Sequence, residues 1–280
     1  MNAFLETRTY GSDFPVSAFH ATDNNFLAHW HIEVEMVFVC EGSIRIGINK
    51  ESRVLSQGEL AICGSTDIHY YDSRESHSKI IVLVFRPELV GSPGGWPGNM
   101  RFDPAFIDNG LFNHSPETLH QIREIFYSIA NEMQLKKPFY DLYVSGRLSE
   151  LCALALRHFP TCAAGVNEKG GKLPDIQKIQ YAIQYLEENY MHDISLDDIS
   201  KKSNLSPYYF SRLFGKFTGL TFKDYLSRIR VAKAEQSIRT GAKSIIDISF
   251  ECGFNSIRTF NRTFKAVKGY PPSKIGQGMR

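Results

Sequence analysis

Two stretches of fourteen residues near the C-terminus repeat one another fifty positions apart, as Ser206–Gly219 and Ser256–Gly269. Ser, Phe, Arg, Phe and Gly recur at the same offsets in both stretches. Each stretch follows a short segment with the core sequence Asp-Ile-Ser, which begins at Asp198 and at Asp247. Two copies are too few for a solenoid, which needs at least three. The chain therefore contains a duplicated supersecondary unit, and its fold must accommodate both copies.

Each copy has the sequence pattern of a capped amphipathic helix. Ser206 and Ser256 are good N-caps, because a serine hydroxyl accepts a hydrogen bond from a free backbone N–H. Gly219 and Gly269 suit a left-handed C-cap. Apolar residues between them recur at helical spacing, as Phe210, Leu213, Phe214 and Phe217 in the first copy and Phe260, Phe264 and Val267 in the second. A short helix, a turn and a capped helix with a cationic face predict a helix-turn-helix unit, whose second helix enters the DNA major groove.

The region between the two copies also has helical periodicity. We predict short helices over 196–202 and 244–252, recognition helices over 206–218 and 256–268, and a long helix over 221–239. Nineteen helical residues span about 28 Å, and the major groove returns to the same face of DNA about every 34 Å. The long helix could therefore hold the two recognition helices in successive segments of the major groove.

The charge of the chain is unevenly distributed, although the net value is only +2. Residues 1–173 contain 15 Lys and Arg against 20 Asp and Glu, a net of −5. Residues 201–280 contain 16 against 4, a net of +12. A basic C-terminal module beside an acidic N-terminal one is typical of a nucleic-acid-binding protein that has a separate second task.

Other features of the sequence argue against secretion and membrane insertion. The sequence has no run of about 18 apolar residues, and its first residues lack the pattern of a secretory signal. The five cysteines are scattered without metal-type pairing, which fits a reducing compartment. We therefore expect a cytoplasmic protein with no membrane partner.

Residues 1–90 are predicted to form β structure. Val34–Val39, Ile44–Ile48 and Ile80–Phe85 are rich in β-branched and aromatic residues, and turn signals fall at 41–43, 49–50 and 57–59. Several short strands at this spacing favour a sandwich or a barrel. The Gly- and Pro-rich segment 87–108 is predicted to be a loop.

Two amphipathic helices are predicted after the β region, one starting at Ser115-Pro116 and the other over 139–159. They could cover the core of the β domain or pair with a second subunit, and we favour the dimer contact. The following segment is small, Gly-rich and without periodicity, as expected of a linker. These features divide the chain into residues 1–160 for effector sensing and dimerisation, a linker at 161–173, and a DNA-binding domain at 174–280.

The C-terminal residues resemble the AraC/XylS family of bacterial transcription regulators over roughly 176–275. The densest match lies in the second unit and comprises Gly253-Phe254, Phe260, Arg262, Phe264-Lys265 and Pro271-Pro272. The first unit contributes Leu205 to Phe214. The resemblance implies two helix-turn-helix units and binding to promoter DNA. Ser249 departs from the family, which usually has alanine there.

By this resemblance, the early exposed turns of each recognition helix contact base edges. The residues at these positions are Tyr208, Ser211, Arg212, Ile257, Arg258, Asn261 and Arg262. Arginine pairs with guanine, asparagine with adenine, and Ile257 could contact a thymine methyl group. Lys216 and Lys265 lie further along the helices and are predicted to contact phosphate. Arg212 and Arg262 recur in the repeat, so an ion pair with a carboxylate of the preceding helix is the alternative for both.

The N-terminal half matches the cupin spacing His-x-His-x3-Glu-x6-Gly at His29, His31, Glu35 and Gly42, with His69 at the position of the later histidine. The period of two along a strand places the first three on one face. In cupin enzymes such a set holds a divalent metal, and its donor atoms suit Fe, Mn or Zn. AraC/XylS sensor domains look like cupins and keep such histidines for packing or ligand contacts. We therefore predict no metal and no other cofactor.

The same residues are instead predicted to line an effector pocket, whose members are His29, Trp30, His31, Glu35, His69 and Tyr70. Tryptophan beside acids and histidines would suit a carbohydrate, and a structural tryptophan is the alternative. The expected fold is α+β and multidomain. A cupin-like β-barrel with appended helices comes first, and an all-α domain of two helix-turn-helix units joined by a long helix follows.

The leading hypothesis is a dimeric regulator, not an enzyme, that binds double-stranded promoter DNA and responds to a small-molecule effector. RNA polymerase would be a further partner of an activator. A metal-dependent cupin enzyme with a basic helical C-terminal domain is the second hypothesis. An architectural DNA-bending protein without an effector is the third.

Overall fold

A computed structural model describes residues 14–90, 100–112, 116–163, 175–240 and 243–275. The chain divides into two compact units, with the main division between residues 172 and 173. The Gly-rich part of the predicted loop at 91–98, the predicted cap at Ser115 and most of the predicted linker lie outside the described residues.

The N-terminal unit is built on antiparallel strands. In chain order they are β1 (Val16–Thr22), β2 (Phe26–His29), β3 (Val34–Ile48), β4 (Glu51–Ser56), β5 (Leu60–Cys63), β6 (His69–Asp72), β7 (Ser78–Phe85), β8 (Met100–Phe102), β9 (Phe106–Ile107) and β10 (Thr161–Ala163). Eight of them form one sheet with the path β1-β7-β3-β5-β9, while β4 and β6 also pair with β3, and β2 pairs with β6. The turns predicted at 49–50 and 57–59 join β3 to β4 and β4 to β5.

Strand β3 is longer than predicted, because the chain does not turn at 41–43. The strand instead contains a bulge between Val39 and Glu41, and Gly42 adopts a φ of +70°. A bulge inserts one extra residue and bends the strand. The first half of β3 pairs with β5 and β7, and the second half pairs with β4 and β6. The residues at 41–43, which predicted a turn, instead allow β3 to bend.

The bulge also changes which residues of β3 face the interior. Before it, Val37 and Val39 belong to the core enclosed by the strands, and after it Ile44, Ile46 and Ile48 belong to that core. The inward positions thus change from odd to even, as a one-residue insertion requires in a structure of period two. Both halves of the strand therefore contribute to one interior.

Helices α1 (Asn109–Phe112), α2 (Pro116–Leu135) and α3 (Tyr140–His158) follow the strands. Buried residues of α2 and α3, such as Phe126 and Leu148, share a core with the opposite face of the sheet, including Met36 and Phe38. The apolar faces of these helices therefore pack within the chain, which is the alternative to the favoured dimer contact. Exposed apolar residues remain where α2 ends and α3 begins, namely Leu135, Phe139, Leu142 and Tyr143.

The predicted linker differs from the structure at its first residues. Thr161–Ala163 form β10, which pairs with β8 and extends the β unit past residue 160. A short stretch of residues can form a strand when its backbone hydrogen-bonds to a neighbouring strand. Such pairing does not depend on a side-chain pattern, so the sequence does not indicate it. Residues 164–173 of the predicted linker lie outside the described part of the chain.

The C-terminal unit is helical. Its helices are α4 (Asp175–Asn189), α5 (Leu196–Lys202), α6 (Pro207–Thr218), α7 (Phe222–Thr240), α8 (Ile245–Glu251) and α9 (Ile257–Lys268). Ser206 and Ser256 cap α6 and α9 as predicted, and Gly219 and Gly269 end them in the left-handed conformation. The first helix-turn-helix unit is α5–α6, and the second is α8–α9.

Helix α7 contributes side chains to the cores of both helix-turn-helix units. Near its start, the ring of Tyr225 packs edge-on against Phe214 of α6, with centroids 5.2 Å apart. Near its end, Val231 and Ala234 join Phe260 and Phe264 of α9 in one buried cluster. The two helix-turn-helix units are therefore connected through packing along a single helix. Within the described residues, no helix combines the length and the apolar character needed to cross a bilayer.

Candidate DNA interface and effector site

Helix α6 presents four of the predicted DNA-contacting residues to solvent. Tyr208 is 78% exposed, and Ser211, Arg212 and Lys216 are also exposed. The neighbouring Tyr209 has a structural role, because its hydroxyl donates to a carboxylate oxygen of Asp175 in α4 at 3.0 Å. Tyr209 therefore anchors α6 to α4, whereas Tyr208 is exposed to solvent.

Helix α9 presents the equivalent surface of the second copy. Arg258, Asn261, Arg262 and Lys265 are exposed, and the first three lie fifty positions after Tyr208, Ser211 and Arg212. Ile257 differs from the prediction, because it is half-buried and packs against the core of the second unit. Ile257 occupies the first position of α9, as Pro207 does in α6. At this position an apolar side chain can pack against the core.

Among the described residues, the cations on these two faces have no carboxylate partner. Across the described ranges, no carboxylate oxygen lies within 4.0 Å of Arg212, Lys216, Arg258, Arg262 or Lys265. Arg212 does contact the ring of Tyr209, with its guanidinium carbon 5.8 Å from the centroid. The alternative of an ion pair with the preceding helix is thus not what the structure shows for either recurring arginine.

Arg230 of α7 has a structural role that the sequence did not indicate. Its Nε donates to the main-chain oxygen of Tyr190 at 2.8 Å, and Nη2 donates to that of His192 at 2.9 Å. Its guanidinium also lies over the ring of Phe254, 5.9 Å from the centroid. Burial lowers the pKa of Arg230, although Asp193 acts in the opposite direction. Arg230 therefore ties the end of α4 to the second helix-turn-helix unit.

Glu235 fastens the other end of α7. Its carboxylate pairs with Lys268 of α9 and with Arg239, which is 2.8 Å away. The hydroxyl of Tyr270 also donates to it at 3.3 Å. These contacts hold the C-terminal end of α9, which carries Lys268, against α7.

Four of the predicted effector-contacting residues come together in the β unit. His29, His31, Glu35 and His69 are each only 1% exposed, and one ligand atom from each lies within 4.8 Å of all the others. The alternation assumed from the sequence is interrupted, because β2 ends at His29 and β3 begins at Val34. Glu33 is not one of the four, but its carboxylate lies 3.6 Å from Nδ1 of His31 and 3.9 Å from Nε of Arg86.

The electrostatics of this group are dominated by mutual pairing. Burial raises the pKa of Glu35, but His69 and His31 outweigh it, so the net pKa is well below its usual value. Burial lowers the pKa of His69, but Glu35 outweighs it and the net pKa is raised. The hydroxyl of Tyr71, a residue not identified from the sequence, donates to Glu35. Its position two residues after His69 in a strand is the signal that could have indicated it.

Trp30 and Tyr70, the other two predicted effector-contacting residues, have different surroundings. The indole N–H of Trp30 is buried and finds no hydrogen-bond acceptor among the residues that the structure describes. Tyr70 lies against Gly47 of β3, where an added Cβ would fall 1.9 Å from its ring. Trp30 thus offers a donor that a ligand could satisfy, whereas the ring of Tyr70 packs against the strand.

Two family models match the chain. One described as an AraC-like ligand binding domain matches residues 13–152, and one described as a helix-turn-helix domain matches residues 199–277. They coincide with the β unit and with most of the helical unit described above. The first alone covers half of the 280 residues.

Similar proteins include known regulators. The chain is 23% identical over 256 residues to the HTH-type transcriptional activator RhaS of Enterobacter sp. (strain 638), covering 90% of this chain and 88% of that protein. It is 29% identical over 240 residues to the Msm operon regulatory protein of Streptococcus mutans serotype c, covering 85% and 82%. A solved structure of ToxT from Vibrio cholerae aligns with a TM-score of 0.42 and 10% identity, covering 93% and 97%. The chain, with its ligand-binding domain and its helix-turn-helix domain, belongs to the AraC family of transcription regulators.

Proposed function

We propose that this regulator binds promoter DNA with α6 and α9 in the major groove, and that a small molecule held by the β unit alters this binding. The observation that carries the proposal is the pair of exposed faces on one duplicated scaffold. Both faces are cationic, and neither has its charge neutralised by a neighbouring carboxylate among the described residues. Such faces are suited to the phosphates and base edges of DNA.

The roles of the residues follow from their chemistry and their place on each helix. Arg212, Arg258 and Arg262 are proposed to pair with guanine, and Asn261 with adenine. Tyr208 and Ser211 supply further polar contacts in the first copy, and Lys216 and Lys265 contact phosphate. We assign Ile257 to packing, because it is half-buried against the core.

The two faces differ, so the site that they read should be asymmetric. The first copy offers Tyr208 and Ser211 where the second offers Arg258 and Asn261. A base pair that satisfies an arginine does not satisfy a tyrosine, so the two subsites should differ in sequence. The length of α7, about 28 Å for nineteen residues, suits subsites in successive major-groove segments on one face of the duplex.

The effector is proposed to act at His29, Trp30, His31, Glu35, His69 and Tyr70. Trp30 supports this, because a buried N–H without an acceptor costs about 1–3 kcal/mol, which a ligand oxygen would recover. A carbohydrate has such oxygens and stacks on indole rings. Effector binding can change DNA binding only if it favours one arrangement of the protein over another.

We also propose a homodimer that assembles through the junction of α2 and α3. Phe139 is 79% exposed, Leu142 is 73% exposed and Leu135 is 61% exposed. Large apolar side chains exposed together mark an interaction surface. We further propose a cytoplasmic location, because promoter DNA lies there, and RNA polymerase as a partner if the protein activates transcription.

Selection from random duplexes tests the DNA-binding proposal. The full-length protein should enrich a sequence with two unlike subsites about one helical turn apart. Arg258→Ala should then lose about 1–3 kcal/mol of discrimination at a guanine position. Lys216→Ala should weaken binding to all sequences equally and reduce the salt slope by about one.

Lys243→Ala is the matched control, because Lys243 is an exposed cation of the same domain that pairs with Glu251 at 2.7 Å. It should leave both specificity and salt slope nearly unchanged. Failure of the wild type to enrich any sequence would refute the proposal. A loss with Lys243→Ala equal to that with Arg258→Ala would show general charge attraction rather than base readout.

A thermal-shift screen weighted towards carbohydrates tests the effector proposal. The expected hit raises the melting temperature of the wild type and has a smaller effect on Trp30→Phe, which keeps an aromatic ring but removes the N–H. A hit that stabilises both proteins equally would exclude Trp30 from the effector site.

A further inference from the structure

A cavity of about 180 Å³ lies between the start of α2 and strand β3. None of the six residues proposed to contact the effector is among the described residues that line it. Its lining includes Phe38, Val39 and Cys40 of β3 and Leu119, His120 and Arg123 of α2. The three residues of β3 are buried, whereas His120 and Arg123 are exposed. The cavity therefore has a buried floor and a polar rim that solvent reaches.

The floor suits an apolar group of limited size. Phe38 is 2% exposed, and Leu119 packs against the core to which Phe38 belongs. An apolar cavity of about 150 Å³ in a protein interior can hold a benzene molecule. The present cavity thus has room for an apolar body of about one six-membered ring, with a small polar group at the rim.

The rim supplies a cation that is available to a ligand. The guanidinium carbon of Arg123 lies 5.8 Å from the centroid of the Tyr127 ring, and stacking of this kind restricts where the guanidinium can point. Within the described part of the chain, no carboxylate oxygen lies within 4.0 Å of Arg123. His120 is three residues earlier in α2, so its ring N–H lies on the same side of the helix. Arginine in such a position can hold a carboxylate through two parallel hydrogen bonds.

The acidic groups near the cavity do not neutralise this cation. Burial raises the pKa of the Cys40 thiol, and a hydrogen bond with that thiol raises the pKa of Tyr127 to about 12. Both groups are therefore neutral at pH 7. Glu41 pairs with Lys79 at 2.7 Å, and the two carboxylate oxygens of Glu59 accept from backbone N–H groups at 2.8 and 3.1 Å. The charge at the rim thus remains positive.

The wall opposite α2 is held in place by backbone hydrogen bonds. The N–H of Gly58, in the turn between β4 and β5, donates to the carbonyl of Val39 at 2.9 Å. The N–H of Val39 donates to the carbonyl of Glu59 at 3.0 Å. These bonds fix the turn against β3 without a ligand, and they occupy the backbone donors of this wall. An anion in the cavity would therefore be received by the side chains of α2.

We propose that this cavity binds a small organic monocarboxylate whose apolar body is about the size of one six-membered ring. The body would lie against Phe38 and Leu119, and the carboxylate would pair with Arg123 and accept from the ring N–H of His120. An apolar lining with a few polar groups that fix orientation is typical of small-molecule sites. The bound acid would join α2 to β3. This site is additional to the effector site proposed above, and it does not depend on DNA binding.

Calorimetric titration of the full-length protein with three probes tests the proposal. Cyclohexanecarboxylate has the body and the charge, cyclohexanecarboxamide has the body without the charge, and acetate has the charge without the body. One molecule of cyclohexanecarboxylate per chain is expected, with an affinity at least about tenfold higher than that of either other probe. Absence of saturable binding of cyclohexanecarboxylate would overturn the proposal, and so would equal affinity for the carboxylate and the carboxamide.

Variants then locate the bound acid. Arg123→Gln should weaken binding of cyclohexanecarboxylate about tenfold or more and remove its preference over the carboxamide. Arg157→Gln is the matched control, because Arg157 is an exposed arginine of α3 that does not line the cavity, and it should bind as the wild type does. Trp30→Phe, a change at the proposed effector site, should also leave the affinity unchanged.

The outcomes separate this site from others. A preference for the carboxylate that survives in Arg123→Gln would overturn the proposal, as would an equal loss of affinity in Arg157→Gln or in Trp30→Phe. Because Arg123 is exposed, its substitution should leave the fold intact, and circular dichroism checks this. If Arg123→Gln does not fold, the comparison of the carboxylate with the carboxamide in the wild type and in Trp30→Phe decides.

Discussion

Replacing Gly253 with alanine should destabilise the helix-turn-helix domain more than the same change at Gly269. The two glycines have nearly equal φ values of +81° and +80°, so the left-handed conformation costs each alanine about 1–2 kcal/mol. Their surroundings differ. An added Cβ at Gly253 would lie 2.8 Å from the main-chain oxygens of Tyr190 and Met191 and 3.0 Å from Nε of Arg230, whereas at Gly269 nothing lies within 4 Å.

The contacts at Gly253 involve backbone atoms, which cannot rotate away as a side-chain end can. Overpacking of this kind adds about 1–3 kcal/mol. Gly253→Ala should therefore cost about 2–5 kcal/mol in total, and Gly269→Ala about 1–2 kcal/mol. The difference between the two variants isolates the close approach of the chain at Gly253, because the conformational cost is common to both.

Hydrogen exchange measured by mass spectrometry on the full-length protein can resolve the C-terminal helices from the rest. Peptides from α8 and α9 should exchange faster in Gly253→Ala than in Gly269→Ala. Tryptophan fluorescence provides an internal control, since Trp30 and Trp96 both lie in the N-terminal half, and its unfolding transition should not move. Equal destabilisation of α9 by the two substitutions would refute the reasoning from the contact distances.

Three further substitutions test other contacts. Phe139→Asp places a charge on a side chain that is 79% exposed, so it should leave the fold intact and shift the protein towards monomer in analytical ultracentrifugation; an unchanged dimer would move the interface elsewhere. Glu235→Gln should cost about 0.5 kcal/mol at neutral pH. Burial raises the pKa of Glu235, but Lys268 and Arg239 outweigh it, so the net pKa is lowered. The stabilisation by the Glu235 ion pairs is therefore present above the pKa of the unfolded state and is lost as pH falls through the pKa of the folded state. Urea titrations of both proteins at several pH values should show the difference disappearing in acid, and a constant difference would contradict the ion-pair role. Tyr71→Phe removes the hydroxyl that donates to the buried carboxylate of Glu35 and should lower the free energy of unfolding by about 1–3 kcal/mol, as judged by urea titration; an unaltered free energy would show that this hydrogen bond does not stabilise the β unit.

The sequence predicted the helical domain closely because its signals are local. The expected helix over 196–202 is observed as Leu196–Lys202, and the caps at Ser206 and Ser256 follow from hydroxyl groups that lie next to the helices they cap. Ser249, which departs from the family, is buried and its hydroxyl donates to the carbonyl of Ile246 at 2.7 Å. The helix thus satisfies that polar group by itself.

The errors concern features that depend on partners distant in sequence. The bend at Gly42 is a bulge rather than a turn because β7 continues to pair with β3 on both sides of it. Thr161–Ala163 form a strand only because β8 is beside them. The role of Arg230 rests on two main-chain carbonyls, and backbone acceptors leave no trace in the sequence. The convergence of His29, His31, Glu35 and His69 was indicated by their spacing, whereas the hydroxyl of Tyr71 that donates to Glu35 was found only in the structure.

The position of α7 in both helical cores has a consequence for the promoters that this protein can serve. Packing at Tyr225 and at Ala234 fixes each recognition helix to the same long helix. If both helices read DNA as proposed, the protein sets the number of base pairs between the two subsites. In the mechanism proposed above, a signal from the ligand-binding domain would decide whether the two recognition helices are presented to DNA, but it would not change that spacing. Inserting about five base pairs, half a helical turn, between the subsites would place the second one on the opposite side of the duplex. Promoters of such a regulator would therefore tolerate base substitutions more readily than insertions or deletions between the two subsites.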